Sequence, residues 1–259
     1  MVLGDNLTTS QSLDMRWNAT DMVGAEARMD VSEFDQFAHS YRDMHSKSIA
    51  ASGENPDYFA EYKIRDVAKA LGAMGTAAPM RLLDFGCGIG GSIPYFRHYL
   101  PQADLTGIDV SQKSLDIAEE RYPGAATYLG FDGKTLPFAD QTFDVVFTAC
   151  VFHHIPEGEH VPLLAEIRRV LKPGGQFFIF EHNPRNPLTV AAVNNCPFDE
   201  NAVLIDASLM LKRLAAAGFT RSRPVYRIFF PRLLKALRFL EPVLTSVPLG
   251  AQYYVRAVK

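Results

Sequence analysis

The chain is short of cysteine, of long apolar runs and of any large excess of one charge. Its three cysteines, Cys87, Cys150 and Cys196, are odd in number and far apart. No disulfide framework and no CxxC metal site can be drawn through them, and a reducing, cytoplasmic setting is expected. No apolar stretch approaches the roughly 18 residues of a membrane span. The opening residues, MVLGDNLTTSQSLDMR, bring acids in early and lack the apolar segment of a secretory signal. With 26 Lys and Arg against 29 Asp and Glu, the whole molecule has no bulk attraction for a polyanion. Internal repeats and low-complexity tracts are absent. What is present is ordinary for a folded protein: 47% apolar and 21% charged residues over 259. That length suits one large domain, or a core domain with a small addition.

Residues 1 to 33 are polar and aperiodic, and read as a flexible arm. Phe34, Phe37, Tyr41 and Met44 recur at helical spacing, and Pro56 opens a second helical pattern over 57–75. Together, residues 34–78 are expected to form a helical lid. From residue 81 the pattern alternates. Strands are expected at 81–85, 104–109, 126–131, 143–149 and 176–181, with helices between them. Ser111 caps one helix, and Pro173-Gly174-Gly175 stops another. Residues 182–206, with three prolines, read as a loop insertion on the substrate side. A helix over 207–217, a strand over 225–230, a short amphipathic helix over 231–240 and a last strand over 252–258 close the chain. Strands alternating with helices predict an α/β domain over 79–259, a doubly wound, Rossmann-like, mostly parallel sheet of seven strands.

The first strand runs into Gly86-Cys87-Gly88-Ile89-Gly90-Gly91. Glycines there let the backbone turn sharply and let a ligand come close, and the following helix aims its N-terminus at the same place. In an open parallel sheet this is the expected ligand crevice. The spacing Gly86-x-Gly88-x-x-Gly91, with Asp109 ending strand 2, satisfies a dinucleotide fingerprint. The turn and Asp109 therefore leave NAD and another adenosine-containing cofactor both open. Two further acids separate them. A carboxylate at Asp84, inside the turn, would repel a pyrophosphate but suits an ammonium and a sulfonium. Asp132, after strand 3 and followed by Gly133, can accept from an exocyclic adenine amine. Each acid could instead be a helix cap or a strand-end turn.

The stretches LLDFGCGIGG (82–91), LTGIDVSQKSLDIAEER (105–121), LPFADQTFDVVFTACVFHHI (136–155) and IRRVLKPGGQFFIFEH (167–182) resemble the class I S-adenosylmethionine-dependent methyltransferases. Within these they resemble the quinone-biosynthesis group. The resemblance covers about residues 80–183 strongly and the flanks weakly. It implies S-adenosylmethionine as cofactor, S-adenosylhomocysteine as product, and an antiparallel last strand. It places Asp84, Gly86 and Gly88 at the methionine part, Asp109 at the ribose and Val110 against the adenine. Asp132 and Gly133 would face the adenine amine. Thr148 and Ala149 would lie under the methyl-donor centre, and Tyr41 over the cofactor.

Methyl transfer needs the nucleophile held in line and water kept away, with a general base only for an acceptor that carries a proton. His153 and His154 follow strand 4, and His182 follows strand 5, at one edge of the sheet. Any of the three could take a proton, or could simply shape the loops. A zinc site through Cys150, His153 and His154 lacks a fourth ligand at a suitable spacing, so no metal is expected. Asn183, Arg185 and Asn186 are candidate substrate contacts.

Between Lys212 and Leu240 stand eight basic residues and no acid. Within this stretch, RLLKALRFL sets Arg232, Lys235 and Arg238 opposite leucines. Either the helix packs on the sheet with its basic side in water, or residues 231–243 touch an anionic membrane surface. The acceptor is expected to be a small or lipid-like metabolite, an anionic one if the basic stretch serves it, methylated at oxygen, nitrogen or carbon. Nucleic acid is not expected: no recognition module is visible, and Ala149-Cys150-Val151-Phe152 stands where nucleobase amino-methylating enzymes carry an Asn-Pro-Pro-Tyr type motif. The rivals are a non-catalytic scaffold that binds the same cofactor and an NAD-dependent oxidoreductase.

Overall fold

Neighbouring residues on the central strands feed opposite faces of one sheet, which is why their sequences are apolar throughout rather than alternating. In the computed structural model, which describes residues 35, 41–72 and 79–259, seven strands form a single sheet in the order β3-β2-β1-β4-β5-β7-β6. The strands are β1 (Met80–Phe85), β2 (Ala103–Asp109), β3 (Thr127–Gly130), β4 (Phe143–Ala149), β5 (Leu171–His182), β6 (Thr220–Arg227) and β7 (Gln252–Val258). The first five are parallel, and β7 runs antiparallel between β5 and β6.

Leu83, Val146, Phe177 and Ile179 pack on one face against α5 (His160–Val170) and α7 (Ala207–Ala216). Leu82, Val145, Phe147, Phe178 and Phe180 pack on the other against α2 (Pro56–Ala70) and α3 (Ile93–Tyr99). Each of these phenylalanines is fully buried, worth about 1.5–3 kcal/mol apiece in transfer free energy. The remaining helices are α1 (Tyr41–Ser48), α4 (Gln112–Arg121), α6 (Pro187–Asn194) and α8 (Glu241–Leu244).

The segment expected to be a lid is partly built into the core. Asn55 caps α2 through Tyr58 N–H at 2.9 Å with Pro56 at the first position, and Ile64, Val67 and Ala68 are wholly buried. The arm expected over 1–33 and the lid's end at 73–78 lie outside the described residues.

Residues 182–206 are not the loop that their prolines predict. Asn186 Oδ1 accepts from Thr189 N–H at 3.0 Å and Pro187 follows it, so the pair starts α6 rather than breaking structure. Strand β6 begins at Thr220, earlier than expected, because Pro224 lies on the sheet edge, where a missing N–H costs no ladder bond. The strand expected at 176–181 begins at Leu171. The register slips between the pairs Phe143–Leu171 and Val145–Gln176, so Pro173-Gly174-Gly175 forms an irregularity in the strand.

The amphipathic segment departs most. Arg232–Leu240 is a 3₁₀ run kinked at Leu234, with no residue buried. Leu233 is 92% exposed, Phe239 74% and Val243 78%. Packing on the sheet, the reading that would hide these side chains, does not occur.

Candidate functional site

The carboxyl ends of β1, β2, β4 and β5 open into one cavity, roofed by the start of α2. Asp84, Gly86, Gly88, Asp109, Val110 and Ala149 line it, with His153, His154 and His182. Nine of the twelve site residues predicted from sequence therefore converge here. Tyr41 opens α1, but its side chain lies outside the described residues. Asp132 and Gly133 do not join the lining. Asp132 is exposed and accepts from Lys134 and Thr135 N–H, both at 2.8 Å, which holds its carboxyl below the usual range. It is a turn cap.

The glycine turn takes a left-handed path that suits glycine. Gly86 has φ +73°, and a Cβ there would lie 2.4 Å from Val151 Cγ2. Gly88 has φ +50° with open space where a Cβ would stand, so ligand atoms can approach its backbone. Gly88 N–H donates to Asp109 Oδ2 at 2.8 Å, and Ser111 N–H to Asp109 Oδ1 at 3.0 Å. Burial raises the Asp109 pKa, and these backbone donors oppose it.

Asp84 is different. It is buried, and its Oδ2 has no hydrogen-bond partner among the described residues. Burial, with Asp109 adding repulsion and Lys63 offsetting it, pushes its pKa up to about 8. An acid so placed fits a cationic ligand and fits a pyrophosphate badly. Thr148 Oγ1, at the end of β4, is likewise buried with no partner among the described residues. Of the two, Asp84 lines the cavity, where the open face of Gly88 leaves room for a cationic ligand group beside it.

At the other end of the cavity stands a polar cluster that sequence spacing only half reveals. His153 Nδ1 lies 2.6 Å from Glu181 Oε2, and Phe152 N–H donates to Glu181 Oε1 at 2.9 Å. Both side chains of the His153–Glu181 pair are buried. Burial would lower the His153 pKa, but Glu181 and Asp199 raise it to about 10. Asp199 Oδ1 lies 3.6 Å from His153 Nε2 and 3.4 Å from His154 Nε2. Burial and His153 lower the His154 pKa.

Cys150 follows β4 at φ +58°, a left-handed conformation that costs a non-glycine residue about 1–2 kcal/mol. It sets the thiol 3.5 Å from Lys63 Nζ and 3.8 Å from Gln252 Nε2. Burial would raise this thiol's pKa, but His182 and Lys63 bring it to about 7. Gln252 also reaches His182 Nδ1 at 3.3 Å and Tyr62 Oη.

Lys63, Cys196, Phe198, Asp199 and Gln252 all line the cavity and carry no local motif. Only the register of β7 beside β5, which pairs His182 with Gln252, brings the last of them in. The expected substrate contacts serve the scaffold instead. Asn183 Nδ2 donates to Gly250 O at 2.7 Å, Arg185 pairs with Asp206 at 2.7 Å, and Asn186 caps α6.

Residues 83–179 match the family model described as a methyltransferase domain. The phthiotriol/phenolphthiotriol dimycocerosates methyltransferase of Mycobacterium tuberculosis is 36% identical over 110 residues, 42% of this chain and 40% of that one. The demethylmenaquinone methyltransferase of Thermotoga maritima is 36% identical over 108 residues, 42% of this chain and 46% of that one. The chain thus spans well under two thirds of the curated relatives it matches. A solved S-adenosylmethionine-dependent methyltransferase from Thermotoga maritima superposes with a TM-score of 0.62 at 18% identity, covering 88% of this chain and 99% of that one. The Haemonchus contortus phosphoethanolamine N-methyltransferase 2, solved with S-adenosyl-L-methionine bound, gives 0.55 at 22% identity over 76% and 52%. These likenesses establish the fold.

Proposed function

We propose that this chain, which carries a methyltransferase domain over residues 83–179 on the fold of the S-adenosylmethionine-dependent methyltransferases, methylates a small or lipid-like metabolite. The observation that carries this reading is the unpartnered, buried Asp84 carboxylate facing the glycine turn. The bound cofactor would supply an electrophilic methyl group. Asp84 and the backbone of Gly86 and Gly88 would hold its amino-acid end. Asp109 and Val110 would hold its nucleoside, Ala149 would lie beneath the donor centre, and Tyr41 would cover it. Asp132 and Gly133 keep their predicted role at the adenine only if their turn closes over the ligand.

Of the three histidines, the geometry favours His182 as the group that takes a proton from the acceptor. His153 has carboxylates at both ring nitrogens, and His154 faces Asp199. His182 is half-buried and oriented by Gln252.

The matched relatives are named for a phthiotriol lipid and for demethylmenaquinone, and a sterol 4-C-methyltransferase of Caenorhabditis elegans is 29% identical over 136 residues. An apolar acceptor accords with these names. It also accords with the exposed Leu233, Phe239 and Val243 beside Arg232 and Lys235, a face suited to an anionic lipid surface. Arg238 Nη2 bonds Glu54 Oε1 at 2.8 Å, which ties this face to residues next to the cavity-lining Pro56 and Asp57. No helix among the described residues is long and apolar enough to cross a membrane.

The test is incubation of the protein with methyl-labelled cofactor and fractionated lipid and aqueous extracts. Label in an extractable lipid or small metabolite supports the reading. Cofactor binding without turnover in any fraction favours a scaffold, and label only in protein or nucleic acid refutes the proposed acceptor class.

A further inference from the structure

The sheet delivers His153 and His154 from the 3₁₀ turn after β4, and Asp199 from the 3₁₀ turn Pro197–Asp199, to one point on the cavity wall. One nitrogen of each imidazole and one carboxylate oxygen lie within 4.8 Å of one another. The two nitrogen-to-oxygen separations are 3.6 and 3.4 Å. They match the edge of a tetrahedron around zinc, which bonds of about 2.0–2.2 Å make roughly 3.3–3.6 Å long.

From this geometry we infer that His153 Nε2, His154 Nε2 and Asp199 Oδ1 form a binding site for one divalent first-row transition-metal ion, open to the cavity.

Three independent features support it. Glu181 Oε2 lies 2.6 Å from His153 Nδ1, and a carboxylate on the far nitrogen is what fixes a metal-binding imidazole in the correct tautomer. The two turns are fastened together, since Val203 N–H donates to His153 O at 2.8 Å. Phe198 packs edge-on against the His154 ring, with centroids 5.0 Å apart, which limits its rotation. The ligand atoms are therefore held before any ion arrives.

Two imidazoles and one carboxylate select zinc, iron(II) or cobalt(II) over calcium or magnesium, which take mainly oxygen ligands. Three protein ligands leave at least one position for an outside oxygen, and the lining places that position in the cavity. The sequence spacing fails to show the site because its carboxylate stands 45 residues after His154, on the far side of β5 and α6. That the open position would receive an acceptor oxygen rests on the methyl-transfer reading. The binding of the ion does not.

The test is titration of chelator-stripped full-length protein with zinc by calorimetry, and with cobalt(II) by visible absorption. The expected result is one ion per chain, bound at least tenfold more weakly by Asp199→Ala and by His154→Gln. The cobalt spectrum should be that of a four- or five-coordinate ion. Cooperative melting of each variant shows that it is folded, and either variant alone suffices. Absence of stoichiometric binding, or equal binding by a folded variant, overturns the site. Neither readout involves the methyl donor, so a failure of the methyl-transfer reading would leave this result standing.

Discussion

Gly88 N–H donates to Asp109 Oδ2 at 2.8 Å, joining the turn after β1 to the acid that ends β2. One carboxylate thus shapes the glycine turn and faces the cavity. The neighbouring acid, Asp84, has an oxygen with no partner among the described residues. Asp109 is anchored by backbone donors at both oxygens and Asp84 is not, so their variants should behave differently.

Asp84→Asn should stabilise the ligand-free protein at high pH. An acid whose folded pKa is raised binds a proton that the unfolded chain releases, so stability falls as pH rises from about 4 to about 8. Removing the ionisable group removes that loss. Denaturant unfolding should show a gain of roughly 1–3 kcal/mol at pH 8 and little change at pH 4.

Gly86→Ala and Gly88→Ala should separate folding from binding. At Gly86 an added Cβ collides with Val151 at a positive φ, so the variant should lose about 2–4 kcal/mol, partly restored by Val151→Ala. At Gly88 the space is open, so the loss should be about 1–2 kcal/mol, with a much larger fall in cofactor affinity. Thermal melts paired with ligand titrations distinguish the two.

Glu181→Gln should be among the most destabilising conservative changes. It breaks the buried pair with His153 while leaving an oxygen for Phe152 N–H. Loss of one partner from a buried ion pair costs about 3–5 kcal/mol, measurable as a lower denaturation midpoint.

Cys150 should alkylate with an apparent midpoint near pH 7, the value to which His182 and Lys63 bring it against burial. Cys87, pushed well above the ordinary thiol value by burial and by Asp84, should stay inert. Lys63→Met should move the Cys150 midpoint upward, as read by mass spectrometry across a pH series.

The glycine-turn half of the cavity was legible because it is local. Glycines, a strand-end acid and a capping Ser111 sit within one or two elements of each other, and Ser111 Oγ indeed accepts from Ser114 N–H at 3.1 Å. The histidine half was not legible, because Lys63, Asp199 and Gln252 meet the histidines only through tertiary packing. Asp132 also stands at a strand end, but it caps its own turn through Lys134 and Thr135 N–H and lies outside the cavity lining. The segment Arg232–Leu240 had the pattern of a packed helix, yet none of its residues is buried.

The central claim is that Asp84 and the glycine turn receive S-adenosylmethionine. It is tested most directly by calorimetric titration with S-adenosylhomocysteine at pH 7, in two buffers of different ionisation enthalpy, with NADH as the comparison. The account predicts micromolar binding and release of about one proton as the ligand's ammonium ionises Asp84. It also predicts at least tenfold weaker binding by Asp84→Asn, and none of NADH. Preference for NADH, or an affinity for S-adenosylhomocysteine that a folded Asp84→Asn protein leaves unchanged, would contradict it.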